Sequence, residues 1–452
     1  MSSYGKLRRE RSALMDGTMF GRRRRGPNPW KIAFFSIAYG AIALVLWQFN
    51  NIQPRVLALM GAAPTPTPGS VEYAQRGEAA YLIGDLPTAV TNYRLAAQQD
   101  PNNVNIVYEL TRTLIYSNFS DVRNFKDGEE SLTWSTTLAE NRPESARAQA
   151  IYCYALVVND RYEDAVRACL RAVDIDPNLA DSYAFLSIAY YELQRYGAAL
   201  EEAEKAVRID PANLDGNLAY ARALFYAGRS EAALQHFTQA AKVNPALEFP
   251  YYELAFLARR MAISSNDDSK FLIALSAYQE VLKRNPNNVK ALTRLCQAYL
   301  EKSSRSVEDI RDARYYCETA TEVDASYSPA YRWLGEVYHR SRNYEDAIDT
   351  LGKCMELEQS LPTDRRDPTC WWLRAAGMFV LGDKYCNNQV LSNGTLLPGA
   401  VQIAEDVLTW SQDQLTVTEA NKVINKCASA YKGTYSTPTP VPTATVPPPP
   451  IF

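Results

Sequence analysis

Histidine is nearly missing from this chain, with 2 copies in 452 residues. That leaves little side-chain chemistry that titrates near neutral pH. The sequence has no G-x-x-x-x-G-K-[ST] loop, no G-x-G-x-x-G turn, no G-x-S-x-G elbow and no H-E-x-x-H helix. Phosphate-binding, dinucleotide, α/β-hydrolase and zincin readings therefore lack their signatures. None of the 8 cysteines stands in a C-x₂-C spacing, so zinc is not expected. No cofactor, metal or small-molecule substrate is inferred, and the chain is expected not to be an enzyme. Charge gives no nucleic-acid footprint either. Residues 1–31 hold nine Lys/Arg and two Asp/Glu, a net of +7, so the total of −3 leaves −10 for the remainder. A nucleic-acid binder would carry clustered positive charge on the fold itself.

Long apolar runs are absent, with one exception. Residues 1–29 form a basic segment ending in Arg22-Arg23-Arg24-Arg25, and Trp30 to Phe49 (WKIAFFSIAYGAIALVLWQF) follows. Twenty residues at about 1.5 Å each span the ~30 Å hydrocarbon core of a bilayer. Lys31 sits at the edge, with Trp30 and Trp47 near the ends as interfacial anchors. The arginine run before it and the single basic residue, Arg55, in the next twenty residues place the N-terminus in the cytoplasm. Everything after Phe49 is then expected outside the cell membrane. A cleaved signal peptide is the alternative, with small residues at Leu59–Ala63. Residues 50–69 are juxtamembrane and end in a Pro/Thr linker, and residues 436–452 (STPTPVPTATVPPPPIF) share that composition. Such tracts favour extended polyproline II and cannot bury a core.

Between linker and tail the chain repeats itself. Ala165, Cys169, Ala172 and Pro177 are followed by Ala199, Ala203, Ala206 and Pro211, then by Ala233, Phe237, Ala240 and Pro245, each set 34 residues after the last. Small residues let two helices approach closely, and proline stops the second. The same register holds Ala89, Tyr93, Ala96 and Pro101 upstream, with Gly77 at a close-contact position. Pro143 closes a degenerate copy with an insertion around Ser117–Asp127. Downstream, Pro286 closes a copy stretched by a polar loop at Ser264–Lys270, and two more copies follow, one with a loop near Ser303–Ser306. From these residues the chain resembles the tetratricopeptide repeat (TPR) family over about Val71 to Met378. The resemblance implies an all-α fold, a right-handed α-solenoid of about eight TPR helical hairpins plus the transmembrane helix. The solenoid is expected over residues 70–361 and a helical C-terminal cap over 362–435, with a loop at Asn387–Gly399 and a last helix at Thr418–Tyr431.

In that register Cys153 and Cys169 take the eighth and twenty-fourth positions of one repeat, and Cys296 and Cys317 take the same two of another. The two helices of a hairpin meet there. Cys354 lies on a second helix and Cys370 opens the next, leaving Cys386 and Cys427 in the cap. Sequential pairing as four disulfides is expected in an oxidising compartment, with buried free thiols as the alternative. His236 falls on an outward position, expected to be solvated, and His339 on an inward one. The sequons at Asn118 and Asn393 are too few to carry weight.

The family resemblance implies a concave groove lined by first-helix side chains. Here these are Tyr108, Arg112, Tyr154 and Tyr191, then Arg222, Phe225, Tyr226, Tyr252 and Phe256, then Arg259, Arg260, Arg332, His339 and Arg340. Tyrosine and arginine are the residue types of binding hot spots. The Lys/Asn pattern of chaperone-tail receptors is missing. The expected function is a membrane-anchored, extracytoplasmic scaffold holding a peptide or protein partner in that groove, similar to bacterial envelope TPR proteins. The alternatives are a permanent structural subunit of a larger membrane or surface complex, a membrane-anchored enzyme accessory domain with a site in the cap after Pro368, and a cytosolic solenoid like an organelle import receptor.

Overall fold

A computed structural model describes residue 30 and residues 68–120, 125–390 and 396–428. The expected span at 30–49, the basic segment and the Pro/Thr tail lie outside these, apart from Trp30. Among the described residues no helix is long and apolar enough to cross a membrane. From Gly69 onward the chain forms one unit, and its described residues are almost entirely helical.

Eight hairpins follow one another. They are α1 (Ser70–Leu82) with α2 (Leu86–Gln99), α3 (Val104–Ser120) with α4 (Phe125–Asn141), α5 (Ala146–Val158) with α6 (Tyr162–Ile175), and α7 (Ala180–Glu192) with α8 (Tyr196–Ile209). Then come α9 (Leu214–Tyr226) with α10 (Ser230–Val243), α11 (Phe249–Ser265) with α12 (Asp268–Arg284), α13 (Val289–Glu301) with α14 (Val307–Val323), and α15 (Ser328–Arg340) with α16 (Tyr344–Glu358). The helices of a hairpin pack on each other, and each second helix packs on the first helix of the next hairpin.

Local chemistry sets the ends. Asp85, Ser145, Asn213 and Asn288 cap helix starts by accepting from backbone N–H groups three residues on, and Ser306 with Asp309 forms a capping box. The residue before each closing proline (Asp100, Asp176, Asp210, Asn244, Asn285) is extended, with φ between −128° and −137°. Proline forbids the helical conformation to the residue preceding it, so the second helix ends there. The periodic alanines Ala89, Ala165, Ala199, Ala233, Ala274, Ala313 and Ala347 are all fully buried.

Glycine goes further where helices come closest. A Cβ on Gly77 would lie 2.9 Å from the Tyr93 ring, and one on Gly335 would overlap the Leu351 side chain. Gly335→Ala is therefore expected to cost about 2 kcal/mol by forcing α15 from α16. Thermal unfolding of the variant checks this, and an unchanged midpoint would show that Leu351 can move aside.

Two expected loops are different in the structure. The polar stretch Ser264–Lys270 is mostly helix, since α11 runs to Ser265 and α12 starts at Asp268, with Asn266 in a left-handed turn. Extra residues here lengthen both helices to 17 residues, as they do in α3 and α4. In the cap, α17 (Thr369–Leu381) begins a ninth hairpin, but its second helix is replaced. A short strand pair (β1 Gln389–Val390, β2 Leu396–Leu397), α18 (Ala400–Leu408) and α19 (Gln414–Cys427) take its place. The last helix thus starts four residues before the expected Thr418, and α18 was not expected at all.

The apolar core is continuous from Ala80 to Ala298, and further clusters carry it into the cap. First helices also pack on one another, α3 on α5, α5 on α7 and α7 on α9. The array curls so far that α3 meets α11: the Tyr116 and Phe119 rings lie 4.9 and 5.9 Å from Phe249. At Gly84 (φ 81°) the first hairpin turn abuts the Ala246 carbonyl, leaving no room for a Cβ.

Candidate functional site

This curling closes the inner face at the N-terminal end. Tyr108 and Tyr154 are buried there rather than presented to a partner. The Tyr108 hydroxyl donates to Asp181, which also accepts from Asn213 at 2.5 Å. Asp215 is buried and accepts from Tyr116 at 2.6 Å and from Tyr154 at 3.4 Å. Tyr154 stacks on Phe185 with 4.2 Å between centroids. Arg112 lies over the rings of Tyr81, Tyr108 and Tyr116 at 5.4 to 5.9 Å and bonds Glu109 at 2.6 Å. Burial pushes all three hydroxyls, Tyr108, Tyr116 and Tyr154, well above the usual tyrosine range, so they remain donors. Burial likewise raises Asp215 to about 6. Tyr108, Arg112 and Tyr154, expected to line a groove, are the packing of a closed core. The physical reason is volume: three tyrosines and a guanidinium fill the space that an incoming segment would need.

Most of the remaining inner-face arginines are already matched. Arg222 bonds Glu253 at 2.7 Å, Arg259 bonds Glu301 at 3.1 Å, and Arg332 bonds Glu336 at 3.0 Å. Arg340 shares Glu336 and also donates to the Leu300 carbonyl. These pairs tie one hairpin to the next or stiffen a helix, which leaves little charge for an acidic ligand. Tyr252 donates to Asn288 at 2.8 Å under the Lys290 ammonium, so it too is engaged. His339 packs edge-on to Tyr344 at 5.3 Å, and burial lowers its pKa, keeping it neutral near pH 7. His236 is half-buried against Asn217 (2.9 Å) and Tyr220 rather than solvated, and burial depresses it as well.

What stays open is aromatic. Tyr226, the last residue of α9, keeps 51% of its surface exposed. Its ring stacks on Tyr196 with centroids 3.4 Å apart and planes 21° from parallel. Tyr191 stands nearly perpendicular to both rings, at 5.4 and 6.2 Å. The Tyr226 hydroxyl bond pushes Tyr196 up to about 12. One hairpin further on, the exposed Arg260 lies over Phe225 and Phe256 at 5.3 and 5.7 Å, and among the described residues it makes no ion pair. Five expected groove residues thus fall into two sets, Tyr191 with Tyr226 and Phe225 and Phe256 with Arg260, which adjoin along the chain at Phe225–Tyr226. Tyr196 joins them unexpectedly. It opens a second helix, outside the first-helix positions from which the lining was mapped, although its aromatic type in a hairpin turn was visible.

The cysteine sulfurs meet in the expected order. Cys153–Cys169, Cys296–Cys317, Cys354–Cys370 and Cys386–Cys427 are bonded, with Cα separations of 5.3, 5.5, 6.1 and 5.7 Å. Cys354, Glu358 and Cys370 bring potential metal-ligand atoms within 4.8 Å of one another. The two sulfurs are spent on each other, and Glu358 accepts from Ser328 and from the Asp367 N–H. The trio is a structural joint.

Sequence-family comparison recognises tetratricopeptide repeats at residues 180–213, 119–180 and 305–353. Together with the eight hairpins among the described residues, these matches give an all-helical solenoid with recognisable tetratricopeptide repeats. Solved structures similar to this chain include the Cut9–Hcn1 hetero-tetramer of the APC/C, 13% identical over 78% of this chain and 76% of that one, with a TM-score of 0.43. PilF of Pseudomonas aeruginosa is 18% identical over 48% of this chain and 94% of its own, at a TM-score of 0.39. A thermophilic TPR protein of Thermus thermophilus is 18% identical over 42% and 98%, at 0.35. No curated protein sequence matches the chain.

Proposed function

We propose that this protein is a scaffold tethered to the cell membrane by residues 30–49, with its solenoid on the extracytoplasmic side, and that it captures an extended segment of a partner protein. The observation that carries the reading is the open aromatic patch of Tyr191, Tyr196 and Tyr226 beside Phe225, Phe256 and Arg260. Large rings with a hydroxyl or guanidinium at hand combine apolar contact with hydrogen bonding. Eight cysteines paired within one chain favour an oxidising compartment over the cytoplasm. A tether would raise the local concentration of solenoid for any partner in the same membrane.

The test is capture in intact cells. A photo-crosslinker at position 226 is expected to trap a defined partner, and one at the exposed Tyr315 position on α14 is not. Alanine at Tyr226, Phe256 and Arg260 together should weaken capture by roughly 3 kcal/mol, on the order of a hundredfold, with thermal unfolding unchanged. Equal trapping at both positions would remove the patch from the function. External protease should digest the solenoid without lysis; protection would place it in the cytoplasm instead.

The filled N-terminal face supports a second reading, a permanent structural subunit. In that case the alanine variants would still co-purify with a fixed set of chains.

A further inference from the structure

We propose that the tyrosine corner of the patch binds a polyproline II turn, and that its occupant is this chain's own proline run, Pro447–Pro450. The inference rests on the surface described under the proposed function and names its ligand.

The corner has two walls. The stacked Tyr196 and Tyr226 rings form one, and Tyr191, with planes 74° and 86° from theirs, forms the other. A pyrrolidine ring is flat, apolar and rigid, and such segments dock on rows of aromatic rings because little conformational entropy is lost on binding. The spacing of the patch suits the same ligand. Polyproline II rises about 3.1 Å per residue with three residues per turn, so prolines three apart present one face every ~9 Å. Helices α7 and α9 pack on each other, and packed helices lie about 8–10 Å apart. Pro447 and Pro450 are three apart. One can meet the corner between α7 and α9 while the other reaches the Phe225 and Phe256 rings that Arg260 covers at 5.3 and 5.7 Å. Polyproline II leaves its carbonyls without internal partners, and Arg260 is a guanidinium with donors to give them.

Charge separates this occupant from an acidic segment. Residues 436–452 carry no charged side chain. The Arg222 guanidinium at the floor is committed to Glu253 at 2.7 Å, so a neutral ligand loses nothing there. Reach is sufficient. Twenty residues separate Cys427 from Pro447, up to ~65 Å when extended, whereas the four hairpin steps from α17 back to α9 cover about 40 Å at about 10 Å each.

Hydroxyl-radical footprinting of the full-length protein tests the assignment. Replacing Pro447, Pro448, Pro449 and Pro450 with alanine is expected to raise oxidation of Tyr226 and Tyr191 severalfold. Oxidation of Tyr315, which is 63% exposed on α14, should not change. Adding a peptide spanning residues 436–452 to the variant should restore protection at Tyr226. Equal Tyr226 oxidation in the two proteins, a parallel rise at Tyr315, or no rescue by the peptide overturns the proposal. The tail and a partner segment then compete for the same rings, so a crosslinker at position 226 is expected to trap more partner in the Pro447–Pro450 alanine variant. Trapping that is unchanged between the two proteins sinks the tail assignment and leaves partner capture standing, and no trapping in either sinks partner capture alone.

Discussion

Replacing Cys386 and Cys427 together with alanine is expected to destabilise the C-terminal cap by about 4 kcal/mol, the largest loss for any of the four pairs. Chain entropy in the unfolded state rises with the length of the loop a bond closes. The three other pairs close 16, 21 and 16 residues, whereas this one closes 41, about 3 against about 4 kcal/mol. The cap also has less to fall back on. Helix α17 begins a hairpin whose regular second helix is missing, and its buried side chains Trp371, Leu373 and Met378 must be covered by other means. The cover is α18, nine residues long, and α19, which ends at Cys427. Helices this short hold together through packing rather than intrinsic propensity. Cys153 and Cys169, in contrast, join two helices already packed within one hairpin. Three tryptophans, Trp371, Trp372 and Trp410, lie in the cap, so fluorescence during urea unfolding reads it. An early transition in the variant, with amide exchange in α19 accelerated and in α7 unchanged, is the expected result. Coincident transitions in both proteins would mean that packing alone holds the cap.

Much of the fold was legible because its cause is local and repeated. In the central copies a buried alanine in the second helix and a proline just past its end recur every 34 residues, and each fixes a close approach or a stop by itself. The cysteine register followed from the same count. The cap breaks the interval, so the repeat pattern does not mark α18. Yet Ala400, Ile403, Ala404 and Val407 are spaced as one face of a helix and are buried as one. The closed inner face was less accessible. Tyr116 meets Phe249 across 133 positions, and Tyr154 meets Asp215 across 61. Those contacts follow from how far the array curls, which summed side-chain volumes decide and no short pattern encodes. The arginine pairs fall between these cases. Arg222 and Glu253 lie 31 residues apart, close to one repeat, so a carboxylate on the following first helix is the mark in the sequence of a paired groove arginine.

Asp215 is where the curl is held, and Asp215→Ala is expected to lower stability by about 3 kcal/mol. The carboxylate joins α9 to α3 through Tyr116 and to α5 through Tyr154. Removing it strands two buried hydroxyls, each costing about 1–3 kcal/mol when unpaired, and takes a counter-charge from Arg112. The compensation is relief from burying a charge, which keeps the net below the sum. Asp215→Asn separates these effects, since an amide can still accept from one tyrosine and donate to the other. The groups facing Asp215 are Tyr116, Arg112, Asp181 and Tyr154; burial, helped by the Asp181 charge, outweighs the two hydroxyls and the guanidinium and raises its pKa from 3.8 to about 6. With the folded value above the unfolded one, the contribution to stability is complete below about pH 4 and is lost as pH rises through about 6. Acid therefore tightens the curl at this residue. The unfolding midpoint of Asp215→Asn, measured against the wild type, should rise steadily between about pH 4 and pH 7, because only the wild type loses stability over that window. A constant difference would mean that Asp215 titrates at an ordinary value and that water reaches it. A variant that is stable yet lacks the Tyr116–Phe249 contact would show instead that the apolar packing of α3 on α11 depends on the carboxylate, and that closure and stability are separable.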